Sequence, residues 1–249
     1  MKMCNDAGHV GMYNQSPCNP KYYESEVMWK LTALEKKYYE KVGIEVVSTR
    51  NNINEDVALV TRGKMSTGCG LFTSNHSNAV GGVNEDVDRV TIYYLVDDTT
   101  TDCDEKSKEI AELLAPVISE VMGVKQVPKV VVRKAQSDRN GDGMLNDNYY
   151  GVLHGARLVG TPGILIEHSF HTCSRTVEWL LNDDNLDKLA RAKVECIASW
   201  LLGKQVKIED EEQKPLYRVQ VGAFEKKSNA NAMLVKLKNA GFDGYIVNK

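Results

Sequence analysis

Hydrophobic positions in the first two hundred residues alternate between strand-like and helix-like spacing. Short apolar runs predict strands at MKMCN, IEVVSTR, GLFTSN, RVTIYYLV and TPGILIEHSF, the last being typical of a strand buried on both faces. Between them, apolar residues three and four apart predict amphipathic helices over 24–43, 106–123 and 185–203, with a shorter helix ending near Ser66. This alternation predicts an α/β fold with an open, twisted, mostly parallel sheet and helices on both faces.

The pattern changes after Gly203. Residues 204–215 are highly charged, contain few core residues and end at Pro215, as expected of a linker. The tail, 216–249, predicts a strand, a helix capped by Ser228 that ends at Gly241, and a final strand, GYIV. We therefore expect a large domain over 1–203, a linker over 204–215 and a small βαβ unit over 216–249.

Composition excludes some classes of function. The chain has 249 residues, of which 42% are hydrophobic and 26% charged, and a formal net charge of −3, so we do not expect it to bind nucleic acid. No apolar run approaches the roughly 20 residues that span a bilayer, so we expect no membrane insertion. The first residues contain no secretory signal, and we expect synthesis in the cytoplasm.

Candidate chemistry is concentrated where predicted strands end. His9, His76 and Glu167 each lie at the end of an apolar run or just beyond it. Because parallel strands present their carboxyl ends at one edge of a sheet, we expect these three residues to converge. His168 and His171 are three positions apart at a strand end, where their side chains would face opposite ways, and are weaker candidates. Spacing alone leaves both a metal site and ordinary hydrogen-bonded histidines open.

Several motifs together indicate a family. DAGHVG at 6–11 resembles the DxGHGG opening of the zinc-dependent N-acetylmuramoyl-L-alanine amidases, which cut peptidoglycan. Further matches occur in the same order as in that family. They are an acidic helix start, VGIEVVSTR, an arginine at Arg62, SNHSNA at 74–79, which is similar to SIHANA, and GILIEHSFHT at 163–172, which is similar to VLVE-x-GF. The resemblance covers roughly residues 1–203.

The resemblance implies roles for four residues. His9, Glu24 and His76 would be the zinc ligands, and Glu167 the catalytic carboxylate that takes a proton from water and passes it to the departing L-alanine nitrogen. Glu26 is an alternative to Glu24 as the second zinc ligand. We prefer Glu24, because the distance from Glu24 to the following strand fits the helix length of the family. The sequence departs from the family pattern at Val10, at Asn75 and at the pair His168-Ser169.

Two further segments suggest binding sites. DRNGDGMLNDNY at 138–149 has the first half of a calcium loop but Tyr149 where a glutamate is expected, so calcium binding and a plain turn both remain open. The tail resembles one half of a sporulation-related (SPOR) module, which binds peptidoglycan glycan strands, and implies glycan contacts for Gln220 and Phe224. A second chain could supply the other half in a homodimer, or the tail could be truncated.

The sequence therefore predicts a zinc-dependent amidase that hydrolyses the bond between N-acetylmuramic acid and L-alanine and lyses cell walls. It would act on peptidoglycan after release from the cytoplasm, either as an autolysin freed by mother-cell lysis or as a phage endolysin released through the membrane hole that a holin forms. Two alternatives are a non-catalytic protein that binds peptidoglycan and a zinc peptidase that cuts within the stem peptide.

Overall fold

The computed structural model describes residues 1–96, 102–139, 147–209 and 219–247. The chain divides into two compact units, Met1–Ile208 and Glu209–Lys249. Most of the candidate calcium loop, residues 140–146, lies outside the described residues. Within the described residues, no helix is both long enough and apolar enough to cross a membrane.

A six-stranded sheet forms the centre of the first unit. Its strands lie in the order β2-β1-β3-β6-β4-β5, and all neighbours are parallel except the antiparallel pair β4 and β6. This confirms the predicted α/β class and the mostly parallel sheet. The strand bounds are β1 Lys2–Ala7, β2 Glu45–Ser48, β3 Phe72–Asn78, β4 Thr91–Tyr94, β5 Lys129–Val131 and β6 Gly163–Phe170.

Helices cover both faces of this sheet. Ile164 and Ile166 of β6 join the larger apolar cluster beneath α1, α3 and α6, whereas Leu165, between them, joins a second cluster with residues of α4. Alternate side chains of one strand therefore fill two separate cores, as expected of a sheet buried on both faces. The helix bounds are α1 Glu24–Lys41, α2 Leu59–Lys64, α3 Asp102–Met122, α4 Gly151–Arg157, α5 Ser174–Leu180 and α6 Asp183–Leu202.

The second unit contains one helix, α7 Lys227–Asn239, among its described residues. Its end before Gly241, which has φ +84°, was predicted correctly, but Ser228 lies inside the helix and is not its cap. The strands of the predicted βαβ unit are not found in the described part of the tail, because 219–226 and 240–247 form none; residues 216–218 of the first predicted strand lie outside the described residues. A two-stranded ribbon is marginal without further strands or an extensive core, and α7 has no fully buried residue.

Candidate metal centre

A tight turn after β1 presents His9. The strand ends at Ala7, and His9 adopts a left-handed φ of 59°. Two buried arginines hold this turn by its carbonyl oxygens: Arg50 Nη2 donates to Ala7 O at 2.7 Å, and Arg62 Nη1 lies 3.4 Å from both Ala7 O and His9 O. These contacts offset the unfavourable backbone conformation of a non-glycine residue with positive φ.

His76 lies inside β3, because this strand continues to Asn78 and is longer than the apolar run predicted. The neighbouring Gly8 allows the imidazole to occupy its position. A Cβ atom on Gly8 would lie 2.4 Å from His76 Cε1 and 2.5 Å from Nδ1, closer than any real Cβ contact. Only glycine therefore leaves room for the ring at this point of the fold.

Glu24, the first residue of α1, connects the two histidines. The residue is 1% exposed, with Oε1 at 2.9 Å from His76 Nδ1 and Oε2 at 3.1 Å from His9 Nε2. Asn14 Nδ2 donates to Oε2 at 2.6 Å. Glu26 is partly exposed and lies outside this group. Among the described residues, His9, Glu24 and His76 form the one cluster of metal-ligating side chains, with ligand atoms within 4.8 Å of one another.

The charges of this cluster stabilise one another. Burial alone would raise the pKa of Glu24, but hydrogen bonds with His76 and His9 hold this pKa well below its usual value. Burial opposes the charged form of His76, yet the hydrogen bond and charge of Glu24 raise the pKa of the imidazole. The cluster therefore contains an ionised carboxylate ready to neutralise a cation.

The donor set fits a zinc ion. Zinc prefers imidazole nitrogen and carboxylate oxygen, and hydrolytic sites commonly use three protein ligands. At bond lengths of about 2.0–2.1 Å, tetrahedral ligand atoms are about 3.3 Å apart. In the structure His76 Nδ1 lies 2.9 Å from Glu24 Oε1 and His9 Nε2 lies 3.1 Å from Glu24 Oε2, and one ligand atom from each of the three residues lies within 4.8 Å of the others.

Glu167 lies beside this cluster on the adjacent strand. The register of β3 and β6 pairs it with His76, so both side chains leave the same face of the sheet. Its side chain is buried, and Oε2 has no hydrogen-bond partner among the described residues. Burial raises the pKa of Glu167 to about 8, an effect that the charge of His76 partly offsets and that of Glu24 reinforces. This carboxyl group can therefore exchange a proton near neutral pH.

The two weaker histidine candidates have different partners. His171 Nδ1 lies 2.9 Å from Ser77 Oγ and 4.0 Å from Glu24 Oε2, at the margin of the cluster. His168 points to the other face of the sheet, where Nδ1 lies 2.9 Å from His76 O and Nε2 lies 2.9 Å from Lys193 Nζ. The two rings thus do not form a pair of metal ligands.

Sequence reasoning missed Asn14, Glu35 and Lys193. No motif identifies Asn14, which reaches Glu24 only through a loop with positive φ. A signal did exist for the other two. Lys193 is seven positions after Leu186, and Glu35 four after Leu31, so each charge interrupts the apolar face of its helix.

The predicted glycan contacts lie in the second unit. Gln220 and Phe224 are both exposed, and each precedes α7. The Phe224 ring packs against the backbone of Gly222, where a Cβ atom would approach the ring to 2.6 Å. Both side chains are thus open to solvent, which their predicted role requires.

Comparisons with known proteins identify the family of the chain. Residues 4–199 match the N-acetylmuramoyl-L-alanine amidase family Amidase_3, and residues 191–248 match the SPOR domain. None of the curated proteins compared with the sequence matches it.

Solved structures show the same fold. The chain is similar to the catalytic domain of CwlV, an N-acetylmuramoyl-L-alanine amidase from Bacillus (Paenibacillus) polymyxa var. colistinus, with 18% identity, a TM-score of 0.63 and coverage of 82% of this chain and 99% of that one. It is also similar to an N-acetylmuramoyl-L-alanine amidase from Clostridium difficile 630, with 23% identity, a TM-score of 0.64 and coverage of 82% and 97%. Cwp6 from Clostridium difficile, at 25% identity and a TM-score of 0.63, matches over 80% of this chain but 29% of its own.

Proposed function

This chain belongs to the N-acetylmuramoyl-L-alanine amidase family and ends in a SPOR domain, and we propose that it hydrolyses the muramoyl–L-alanine amide bond of peptidoglycan in a zinc-dependent reaction. One observation carries the proposal: two imidazoles and a carboxylate from distant parts of the sequence converge, with a buried carboxyl group on the adjacent strand.

In this proposal His9, Glu24 and His76 hold the zinc ion. Bound zinc supplies a Lewis acid that polarises the scissile carbonyl and lowers the pKa of water. The chain's own contribution is to fix the three ligands. Gly8 leaves space for His76, Arg50 and Arg62 hold the turn of His9, and Asn14 orients Glu24. The turn after β1, the start of α1 and β3 thus provide a fixed set of ligands before substrate arrives.

Glu167 is the proposed general base and acid. It accepts a proton from the attacking water as the new C–O bond forms, and then protonates the L-alanine nitrogen as the C–N bond breaks. Its unpartnered Oε2 is available for the first transfer. Burial favours the second transfer, because a desolvated carboxylate takes up a proton readily and can then pass it on.

The tail is proposed to hold the enzyme on the wall. Exposed Gln220 and Phe224 would contact the glycan strand, and six Lys or Arg residues against two Asp or Glu from residue 216 onwards favour approach to an anionic wall. A homodimer through the tail is one way to complete the module. Wall hydrolysis would lyse the cell after release of the enzyme, as an autolysin or an endolysin.

Products from a defined muropeptide test the reaction. The proposal expects two products in mass spectrometry: glycan whose lactyl group carries a free carboxylate, and peptides with a new amino-terminal L-alanine. New termini within the stem peptide would indicate a peptidase. Binding to walls without any product after zinc addition would indicate a non-catalytic binder.

Matched variants test the residues. Glu24→Gln should lose zinc and turnover, whereas Glu26→Gln, two positions away and outside the cluster, should retain both. Glu167→Gln should retain zinc and lose turnover by about 10²–10⁴-fold. Near-normal turnover in Glu167→Gln would refute its role as base.

A further inference from the structure

A buried ion pair lies behind the metal centre. Lys193 of α6 is 1% exposed and Glu35 of α1 is 2% exposed, and Lys193 Nζ lies 2.5 Å from Glu35 Oε1. Removing two charges from water carries a desolvation penalty that well-packed apolar side chains would avoid. Packing between α1 and α6 therefore does not explain why charged residues occupy these two positions.

The pair is bound to three strands of the sheet. Lys193 Nζ donates to Asn75 Oδ1 on β3 at 2.6 Å and to His168 Nε2 on β6 at 2.9 Å. Glu35 Oε2 accepts from Asn75 Nδ2 and from Asn5 Nδ2 on β1, each at 2.8 Å. The network thus joins two helices to β3 and β6, which carry His76 and Glu167, and to β1, which precedes His9.

The network determines which nitrogen of His168 bears the proton. A lysine ammonium can only donate hydrogen bonds, so Nε2 of His168 must accept. The proton of the neutral ring is then on Nδ1, which donates to the backbone carbonyl of His76 at 2.9 Å. Burial and the charge of Lys193 hold the pKa of His168 well below its usual value, in agreement with a neutral ring.

This hydrogen bond is made at an irregularity of the sheet. The register between β3 and β6 shifts between His76 and Asn78, and Ser169 has a φ of 60°. Bulges of this kind often lie beside active sites and redirect side chains. Because His168 and Glu167 are consecutive on a strand, the ring of His168 holds the backbone on one face while Glu167 faces the other.

We propose that Glu35, Lys193 and His168 act as positioning residues for the zinc ligand His76. The ion pair keeps His168 in the tautomer with a proton on Nδ1, and this proton fixes the His76 carbonyl and so the direction of the ligand. The inference rests on the proposed function.

Three variants test it. His168→Leu removes both ring nitrogens, whereas His168→Asn keeps an amide N–H near the former Nδ1 position. His154→Leu is the matched control, because it removes a buried imidazole from α4, where the ring lies 3.7 Å from Asp147. Zinc affinity is measured by competition with a chromophoric chelator, and kcat and KM on a soluble muropeptide, well below each melting temperature.

The proposal expects His168→Leu to lose about 10–100-fold in zinc affinity and in kcat with little change in KM. His168→Asn should recover most of both, and His154→Leu should match the wild type. Wild-type values in His168→Leu, or equal losses in the Leu and Asn variants, would overturn the proposal. A wild-type protein without zinc binding or turnover would instead refute the proposed function.

A second measurement remains decisive if the His168 variants do not fold. The ¹⁵N chemical shifts of the His168 ring should show a proton on Nδ1 in the wild-type protein. In Lys193→Met/Glu35→Gln, which removes both charges together, Nε2 of His168 loses its donor and only the His76 carbonyl still favours a proton on Nδ1, so the fraction of rings in the Nδ1–H tautomer and the zinc affinity should both fall. An unchanged Nδ1–H tautomer, or unchanged zinc affinity, would overturn the proposed role of the ion pair.

Discussion

Replacing Gly8 by alanine tests whether the position of His76 limits activity. The added Cβ would lie 2.4 Å from His76 Cε1, 2.5 Å from Nδ1 and 2.7 Å from the carbonyl oxygen of Asn75. These distances are about 1 Å short of normal contact. The backbone has little freedom to retreat, because Gly8 N donates to Asn75 O at 2.9 Å. The imidazole must therefore move, and the contact with the Asn75 carbonyl oxygen also requires a small shift of the backbone.

A displacement of about 1 Å in a catalytic group lowers turnover by about 10²-fold. Overpacking of this size also destabilises a fold by about 1–3 kcal/mol, which is about 2–12 °C in melting temperature for a unit of this size. We expect Gly8→Ala to remain folded at 25 °C, with zinc affinity reduced about 10–100-fold and kcat/KM reduced about 100-fold.

The assay combines chelator competition, muropeptide kinetics and thermal unfolding. Gly81→Ala is the matched control, because a Cβ atom added there would meet nothing within 4 Å and the φ of Gly81 is not in the left-handed region. It should leave all three measurements unchanged. Zinc affinity and kcat/KM within about twofold of wild type in Gly8→Ala would refute the reasoning, since His76 would then tolerate displacement.

Three other predictions concern stability and the tail. Ser169→Ala should destabilise the protein in urea by about 1 kcal/mol more than Ser169→Gly, because both lose the hydrogen bond to Asp88 but only glycine relieves the positive φ; equal losses would contradict this. Although burial alone would raise the pKa of Asp88, hydrogen bonds from Arg175 and Ser169 lower it. In the unfolded chain Asp88 has a pKa of about 3.9 and binds a proton more readily than in the folded protein, so the free energy of unfolding should decrease as pH falls from this value towards the lower folded pKa. Urea unfolding at a series of acidic pH values should show a weaker decrease for Asp88→Asn. The same decrease in the variant and the wild type would exclude this contribution. Deleting residues 216–249 should weaken sedimentation with purified walls but leave hydrolysis of soluble muropeptide intact, and an equal loss of both would argue against separate roles.

Much of the fold could be predicted because strand and helix periods differ. The long helices α1, α3 and α6 and five of the six strands follow directly from their apolar spacing. The sequence did not predict β5, α4 or α5, because these elements are too short for their apolar residues to show a repeat. The strands predicted beside α7 are not found in the described part of the tail, because a local apolar pattern does not provide the neighbouring strands that a sheet requires.

The candidate site was predicted in part. His9, His76 and Glu167 follow from strand ends, and Glu24 from family resemblance, and the structure brings all four to one region. Their roles remain predictions until zinc and products are measured. The contact of Asn14 with Glu24 could not be predicted, because it depends on the path of a loop.

By itself, the sequence determined the class of fold, the family and three residues proposed for chemistry, His9, His76 and Glu167, and left Glu24 in competition with Glu26, since these depend on local periods and on ordered motifs. Tertiary structure alone decided that Glu24 and not Glu26 reaches both histidines, that Gly8 makes room for His76, and that the charges of Glu35 and Lys193 meet. The reason is physical: a repeat along the chain specifies which face of an element is buried, but contacts between elements depend on register, helix placement and backbone turns that only the assembled fold fixes.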